Sequence, residues 1–278
     1  MFLGYNTNGF AHHRLEEAIS ILADLGYRGV GLTLDVHHLD PFAPDLLART
    51  AAIRKQLERH RMSCVIESGA RFLLDSRRKH EPTLISPTMQ EREVRQDFLR
   101  LCVDIGAELN AQCISFWSGK ACESSTWEEQ MEWLVKGCQQ VAEYAERKHV
   151  LLAFEPEPGM LIDSMERFAE LYERVKHASF GLTIDVGHLV CGGELPVSRF
   201  LTEWKQVLWN IHIEDMKRGV HDHVMFGQGE IDFEDTFAGL NSANYDRGVY
   251  VELSRHSHEA VQTAQKAKAF LDQVMRSL

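Results

Sequence analysis

The chain has 278 residues, of which 41 are acidic and 30 basic, so its formal net charge is −11. Hydrophobic residues make up 44% of the chain, which excludes a disordered protein and is enough for one large core. The acidic balance argues against a protein whose affinity depends on the phosphates of nucleic acids or on anionic lipid. No apolar run approaches the roughly 20 residues that a membrane-spanning helix needs.

The cysteines and the first residues indicate the compartment. The six cysteines form no CxxC pair and lie mostly in apolar runs, so we predict reduced packing residues. They are Cys64, Cys102, Cys113, Cys122, Cys138 and Cys191. The opening stretch MFLGYNTNGF lacks the basic-then-apolar order of a signal peptide. We therefore expect a cytoplasmic protein with no membrane partner.

Short apolar runs rich in β-branched and aromatic residues predict eight strands. In chain order they cover residues 2–7, 28–34, 63–67, 112–117, 150–155, 180–185, 207–213 and 248–253. Helical spacing of apolar residues follows each run, as with Leu15, Ile19 and Leu22 after the first. Eight strand–helix units predict one (β/α)₈ TIM-barrel domain over residues 1–278, with an open doubly wound sheet as the alternative.

Alternation within the predicted strands separates the two architectures. Thr183 and Asp185 share one face of the sixth strand, and Asn210 and His212 share one face of the seventh, with Trp209 on the other. The first, second, fifth and eighth strands repeat this pattern, so polar groups would point inward at many strand ends. Barrel enzymes carry their sites at the C-terminal ends of the strands, and an open sheet has no reason for the repetition. The barrel is favoured.

Four ionisable residues end consecutive predicted strands. Glu155, Asp185, His212 and Glu252 end the fifth to the eighth strands and would meet at one side of the barrel mouth. Three carboxylates this close repel one another unless a cation compensates their charge. One nitrogen and three oxygen ligands suit Mn²⁺, Co²⁺, Mg²⁺ or Zn²⁺. Separate surface ion pairs would explain any one of these residues alone, but the set of four favours a metal site.

Several sequence blocks carry a family resemblance. FEPEP, LTIDVGH, NIHIEDMKRG, FGQGEIDF and VYVELS resemble the xylose-isomerase-like TIM-barrel superfamily. That superfamily includes sugar isomerases and epimerases of the tagatose-epimerase type, inosose dehydratase and the endonuclease IV branch. The resemblance covers nearly the whole chain. It implies that Glu155, Asp185, His212 and Glu252 bind the metal and that Glu155 and Glu252 are also the catalytic residues.

The activity implied by the resemblance is that of a divalent-metal-dependent isomerase or epimerase acting on a small sugar, polyol or sugar phosphate. In such a site the metal polarises a carbonyl and stabilises an enediolate, while Glu155 and Glu252 remove and return a proton. A lyase (dehydratase) or hydrolase acting on an oxidised sugar or cyclitol uses the same groups and is the alternative. A non-catalytic barrel that binds a metabolite is a further alternative. Homo-oligomers are common in the superfamily, and nothing in this chain fixes the state.

Three further histidines surround the predicted site. His188 matches a substrate-contacting or second-metal histidine of the superfamily. His221 and His223 stand two residues apart in a long predicted loop over residues 217–229. We expect the three to form a second metal site or to bind substrate hydroxyls, and the sequence leaves both readings open.

Other strand ends supply predicted substrate-binding residues. They are Glu67, Arg71, His38, Trp117 and Arg218. The first long loop, residues 68–88, carries cations that would bind a phosphate or carboxylate if they are not simply solvated. Trp117 would form an apolar wall against a sugar. Arg218 is assigned because many epimerases have a substrate-binding arginine in this second loop.

An abasic-site endonuclease is the least favoured hypothesis. Relatives of that kind keep zinc-binding histidines after the second and fourth strands. This chain has His37 and His38 after the second strand but Trp117 and Ser118 after the fourth. The charge of −11 also opposes DNA binding. We therefore expect no nucleic-acid partner.

Overall fold

Eight parallel strands close into a barrel in the computed structural model, which describes residues 1–277. Around the barrel the strand order is β1-β10-β7-β6-β5-β4-β3-β2, so the predicted (β/α)₈ architecture is confirmed. The strands are β1 Phe2–Asn6, β2 Gly29–Thr33, β3 Ser63–Glu67, β4 Ile114–Phe116, β5 Leu152–Phe154, β6 Phe180–Asp185, β7 Leu208–Ile213 and β10 Gly248–Val251. No helix within the described range is long and apolar enough to cross a membrane.

The described part of the chain has nine α-helices. They are α1 Leu15–Asp24, α2 Leu46–His60, α3 Met89–Leu109, α4 Trp127–Arg147, α5 Met165–Val175, α6 Val186–Gly192, α7 Val197–Glu203, α8 Phe233–Ser242 and α9 Ala260–Ser277. Two short helices, α6 and α7, follow β6 where a single helix is usual. Gly193, with φ of 72°, ends α6, and Pro196 precedes the first residue of α7.

The lower part of the barrel interior is apolar. Its buried cluster consists of Val65, Cys113, Ala153, Trp209 and Tyr250. Most of these residues precede by two positions an inward polar residue of the same strand, so the apolar layer lies below the polar mouth. Gly4 makes room for the largest ring, since a Cβ there would lie 2.3 Å from Cδ1 of Tyr250.

A bulge in β7 overturns the strict alternation predicted for Trp209. Leu182 pairs with Leu208 but the next residue, Thr183, pairs with Asn210, so Trp209 is the extra residue. The bulge places Trp209 in the interior cluster, while His212 still reaches the mouth. The prediction that Trp209 faces the outer helices is therefore wrong, because alternation holds only while a strand stays in register.

Part of the second predicted loop, residues 217–229, is regular structure. Strands β8 Asp215–Lys217 and β9 Val220–Val224 pair as an antiparallel hairpin. Gly219 lies in the turn with φ of 70°, in the left-handed region that glycine adopts without strain. The hairpin follows directly on β7 and therefore stands over the mouth of the barrel.

Candidate functional site

The four predicted ligands form one cluster at the C-terminal rim of the barrel. Each lies within one residue of the end of β5, β6, β7 or β10, and each offers an oxygen or nitrogen within 4.8 Å of the others. Nδ1 of His212 lies 3.0 Å from Oε1 of Glu155 and 3.2 Å from Oε2 of Glu252. Asp185 completes the group from β6. Because parallel strands end at the same rim, adjacent strands bring the four groups together.

These residues fit a divalent cation. Asp185 is 2% exposed, and its Oδ2 has no hydrogen-bond partner among residues 1–277. A buried carboxylate oxygen without a partner is costly, so the site has a position for a positive charge. Carboxylate oxygens and an imidazole nitrogen are ligands that Mn²⁺, Mg²⁺, Co²⁺ and Zn²⁺ all accept.

Glu67 contacts the opposite nitrogen of His212. Its Oε1 lies 2.9 Å from Nε2 of His212, and the residue also lines the cavity above the cluster. Metal-binding histidines commonly donate their second N–H to a carboxylate, which fixes the ring and its tautomer. Sequence reasoning named Glu67 only as a substrate contact. Glu67 faces inward at the end of β3, as Glu155 does at the end of β5, and this pattern in the sequence could have predicted the contact with His212.

The ionisable groups of the cluster shift one another's pKa values. Burial raises the pKa of Glu155 to about 7, and His212 only partly offsets this effect. Burial also acts to raise the pKa of Glu252, but His212 and His223 outweigh it and the net shift is downward. Burial acts to lower the pKa of His212, yet the carboxylates of Glu67 and Glu155 raise it well above its usual value. Protonated His212 therefore supplies the positive charge of the cation-free cluster.

A buried acid that sequence reasoning did not single out adjoins Asp185. Glu214 is fully buried, and within the described chain neither of its carboxyl oxygens has a hydrogen-bond partner. Burial, followed by the charge of Asp185, raises the pKa of Glu214 well above its usual value. Glu214, Asp185 and His223 form a further group of potential ligands within 4.8 Å of one another. The neutral form of Glu214 is favoured here because two adjacent carboxylates cannot both ionise cheaply.

His188, His221 and His223 form a second cluster beside the first. Nδ1 of His188 lies 3.2 Å from the carbonyl oxygen of Pro156, and Nδ1 of His223 lies 3.2 Å from that of Glu252. Since a carbonyl only accepts, both Nδ1 atoms carry a proton. Nε2 of His221 lies 3.0 Å from Nε2 of His188. Burial lowers the pKa of His188 to about 4, so its ring is neutral.

A buried carboxylate holds the hairpin that carries two of these histidines. Asp215 accepts hydrogen bonds from four backbone N–H groups at 2.8–3.2 Å. The donors are Met216, Gly227, Gly229 and Ile231. Ordered N–H groups around one carboxylate fix the backbone of a loop. His221 and His223 are therefore presented from a rigid support.

A cavity of about 410 Å³ opens above both clusters. Glu155, His212 and Glu252 form part of its floor, and His188, His221 and His223 form part of its wall. Three predicted substrate residues also line it: Glu67, Arg71 and Trp117. Lys79, His80 and Glu157 line it as well. This volume is typical of a small-molecule site.

Two predicted substrate residues lie elsewhere. His38 is 1% exposed, its Nε2 lies 3.2 Å from the carbonyl of Phe10, and it is not among the described residues that line the cavity. Asp35 accepts the N–H of His38, which turns the chain so that the ring packs inside. Arg218 is exposed beside the turn at Gly219 and does not reach the described lining. Neither residue is therefore part of the substrate site that we propose below.

Comparison with known proteins gives a family model and distant relatives. The model for xylose isomerase-like TIM barrels matches residues 19–274. Inosose dehydratase of Clostridium beijerinckii is 24% identical over 153 residues, 48% of this chain and 51% of that protein. L-ribulose-5-phosphate 3-epimerase UlaE of Salmonella paratyphi C is 29% identical over 117 residues, 42% of this chain and 41% of that protein. The match therefore spans about half the length, or less, of these curated relatives.

Solved structures share the fold over the whole chain. D-allulose 3-epimerase from Methylomonas sp. has a TM-score of 0.78 at 18% identity, covering 99% of this chain and 98% of that one. An IolI protein crystallised with a bound zinc atom has a TM-score of 0.78 at 17% identity, with 98% of each chain covered. At these identities the likeness establishes the architecture.

Proposed function

The chain belongs to the xylose isomerase-like TIM barrel family, and from that membership and the geometry of the mouth we propose a divalent-metal-dependent epimerase or isomerase of small sugars. The observation that carries the proposal is the pair Glu155 and Glu252, which flank the same nitrogen of His212 at 3.0 and 3.2 Å on the floor of the cavity. The sugar epimerases among the relatives and fold neighbours support the same reaction class.

Glu155 and Glu252 carry the proton transfer. One carboxylate removes the proton from the carbon beside the substrate carbonyl, and the other returns a proton to the opposite face or to the adjacent carbon. Both lie on the cavity floor, where a bound sugar comes within hydrogen-bond reach of each. Asn8 donates to Oε1 of Glu252 at 2.9 Å, which holds that carboxylate in position while it exchanges a proton.

The cation site of the proposal consists of Glu155, Asp185, His212 and Glu252. A divalent cation bound there supplies Lewis-acid polarisation of the substrate carbonyl and so acidifies the adjacent C–H bond. The donor set accepts Mn²⁺, Co²⁺, Mg²⁺ or Zn²⁺. Elemental analysis of protein purified without added metal identifies the ion.

In this proposal the second cluster, His188, His221 and His223, takes part in substrate binding. The imidazoles of His221 and His223 exchange hydrogen bonds with sugar hydroxyls, or the three rings ligate a second cation through unprotonated nitrogens. In the first case Nε2 of His188 accepts the N–H of His221, 3.0 Å away, and orients that ring. Metal content separates the two roles: one equivalent per chain assigns the cluster to hydroxyls, and two equivalents assign it a cation.

Dehydration is the second candidate function. It is favoured by the relatives named inosose dehydratase, and it needs the same removal of a proton followed by loss of a neighbouring hydroxyl as water. The product distinguishes the reactions, because epimerisation leaves the mass unchanged and dehydration lowers it by one water. Mass spectrometry of a ketose and an inosose incubated with the protein separates the two.

The decisive experiment is proton exchange in D₂O. The metal-loaded protein should introduce deuterium at the carbon beside the carbonyl of its ketose substrate, as followed by NMR. Glu155→Gln should abolish the exchange while leaving the circular dichroism spectrum unchanged, because the amide cannot take up the proton. Glu93→Gln, a change at an exposed position of α3, is the matched control and should exchange at the normal rate. Normal exchange by Glu155→Gln would refute the assignment.

A further inference from the structure

The loop over residues 68–88 forms part of the cavity wall, and a buried arginine holds it in place. Arg95 of α3 is 4% exposed, and its guanidinium donates to the carbonyls of Pro82 and His80, both at 3.0 Å. The same guanidinium stacks 4.9 Å from the ring centroid of Trp117. A buried arginine that satisfies loop carbonyls holds the loop in one conformation. The backbone that carries the cavity-facing side chains of this loop is therefore held in place.

Two cations of this loop face the cavity without a counter-ion. Arg71 and Lys79 both line it, and within residues 1–277 no carboxylate oxygen lies within 4.0 Å of either charged group. The neighbouring Arg78 behaves differently, since Asp75 and Glu91 pair with it at 2.7 and 3.0 Å on the outer side. Arg71 and Lys79 therefore present unpaired positive charge to the cavity, whereas the exposed Arg77 is not among the described lining residues.

Arg71 and Lys79 belong to one local cluster. The backbone N–H of His80 donates to the carbonyl of Arg71, which brings the segment carrying Lys79 against the segment carrying Arg71. Burial, and then the charges of Lys79, Arg95 and Arg71, lower the pKa of His80 to about 4. The positive charges of Lys79, Arg95 and Arg71 therefore all act on His80 in the cavity wall. Arg255 also lines the cavity, but Asp222 neutralises it at 2.7 Å.

We propose that Arg71 and Lys79 form a subsite for an anionic group, a phosphate or a carboxylate, on the substrate of this cavity. The inference rests on the proposed function, and it narrows the substrate class from sugars in general to phosphorylated or acidic sugars. The carboxylate–histidine floor holds the reacting carbons, and the 68–88 wall holds the charged end. Guanidinium and ammonium groups left unpaired in a cavity are suited to this task because they bind phosphate and carboxylate oxygens strongly. Glu157 lies on the lining as well, but its carboxylate makes no ion pair with Lys79 within 4.0 Å.

Binding measurements on the metal-loaded protein test the subsite. Calorimetric titration compares L-ribulose 5-phosphate with unphosphorylated L-ribulose, and D-glucuronate with D-glucose. The wild-type protein should bind one anionic ligand at least about tenfold more tightly than its neutral counterpart. Arg71→Met should remove about 10- to 100-fold of that affinity and leave the binding of the neutral sugar unchanged. Lys79→Met should have the same direction with a smaller effect.

The control variant is Arg77→Met, which removes the same charge from the same loop. Arg77 is exposed and is not among the described lining residues, so anion affinity should stay at the wild-type value. Equal loss in Arg71→Met and Arg77→Met, or equal affinity for charged and neutral sugars, would overturn the subsite. Preference for the phosphate or for the carboxylate ligand identifies the anion. Binding does not need turnover, so deuterium exchange into a neutral ketose reports separately on the proposed reaction.

Discussion

Glu67 accepts a hydrogen bond from Nε2 of His212 at 2.9 Å, on the side of the ring that faces away from Glu155 and Glu252. The contact directs Nδ1 of the imidazole toward the two carboxylates. A histidine whose second nitrogen is held in this way offers its lone pair to a cation without first having to reorient. We therefore propose Glu67 as a positioning residue for the cation site.

Replacing Glu67 with Gln should weaken cation binding by about 10- to 100-fold, because the amide is a poorer acceptor for the ring N–H and carries no charge. Calorimetric titration of the chelated protein with MnCl₂ measures the effect. Glu93→Gln, which changes an exposed carboxylate on α3, should bind the cation as the wild type does. An unchanged dissociation constant in Glu67→Gln would show that the contact does not orient the ligand.

Cation affinity should rise with pH. The carboxylates beside His212 outweigh burial and raise its pKa well above the usual value, and burial raises the pKa of Glu155 to about 7. In the cation-free protein both groups therefore hold protons at pH values below about 7, and the cation must displace them. Affinity is retained above these pKa values and lost as the pH falls through them, by at least about tenfold per unit below pH 7.

Proton release provides the measurement. Titration with MnCl₂ in two buffers that differ in ionisation enthalpy should show at least about one proton released per cation at pH 7. In Glu155→Gln, which removes one of the two titrating groups, fewer protons should be released. Equal heats in the two buffers would contradict the coupling between His212 and its carboxylates.

His221 lets the two clusters be tested separately. It contacts Nε2 of His188 at 3.0 Å and belongs to the hairpin, outside the carboxylate set. His221→Ala should keep the cation of the first cluster and weaken sugar binding by about fivefold, the worth of one neutral hydrogen bond. Metal content and sugar affinity are measured on the same sample. Loss of the first cation would show that the clusters form a single site.

Most of the site follows from a simple rule of strand ends. The period of two in each strand and the common rim of parallel strands predict that Glu155, Asp185, His212 and Glu252 converge, and the fold bears out that geometry. The rule fails where the register between two paired strands shifts. The bulge at Trp209 changes which residues face inward, and a bulge leaves no mark in the apolar pattern of the strand.

In the loops, the sequence did not predict where side chains lie, for a different reason. His38 and Arg218 follow strand ends, as the residues of the cavity floor do, but they are not among the described residues that line the cavity. Local hydrogen bonds hold His38 in the interior. Asp35 and Gly219 set the turns beside these two residues, and neither effect is visible in hydrophobic periodicity. The anchoring of the hairpin by Asp215 also escaped prediction, since its donors lie up to 16 residues further along the chain.

The glycines of the barrel interior allow a test of the fold itself. A Cβ on Gly4 would lie 2.3 Å from Cδ1 of the buried Tyr250, and close-packed interiors have no spare room for it. Gly4→Ala should therefore lower the free energy of unfolding by about 1–3 kcal/mol through overpacking. Gly69→Ala is the matched control, since nothing within the described chain lies within 4 Å of its Cβ position. Urea denaturation followed by circular dichroism compares the two, and equal stability would mean that Tyr250 moves aside without cost.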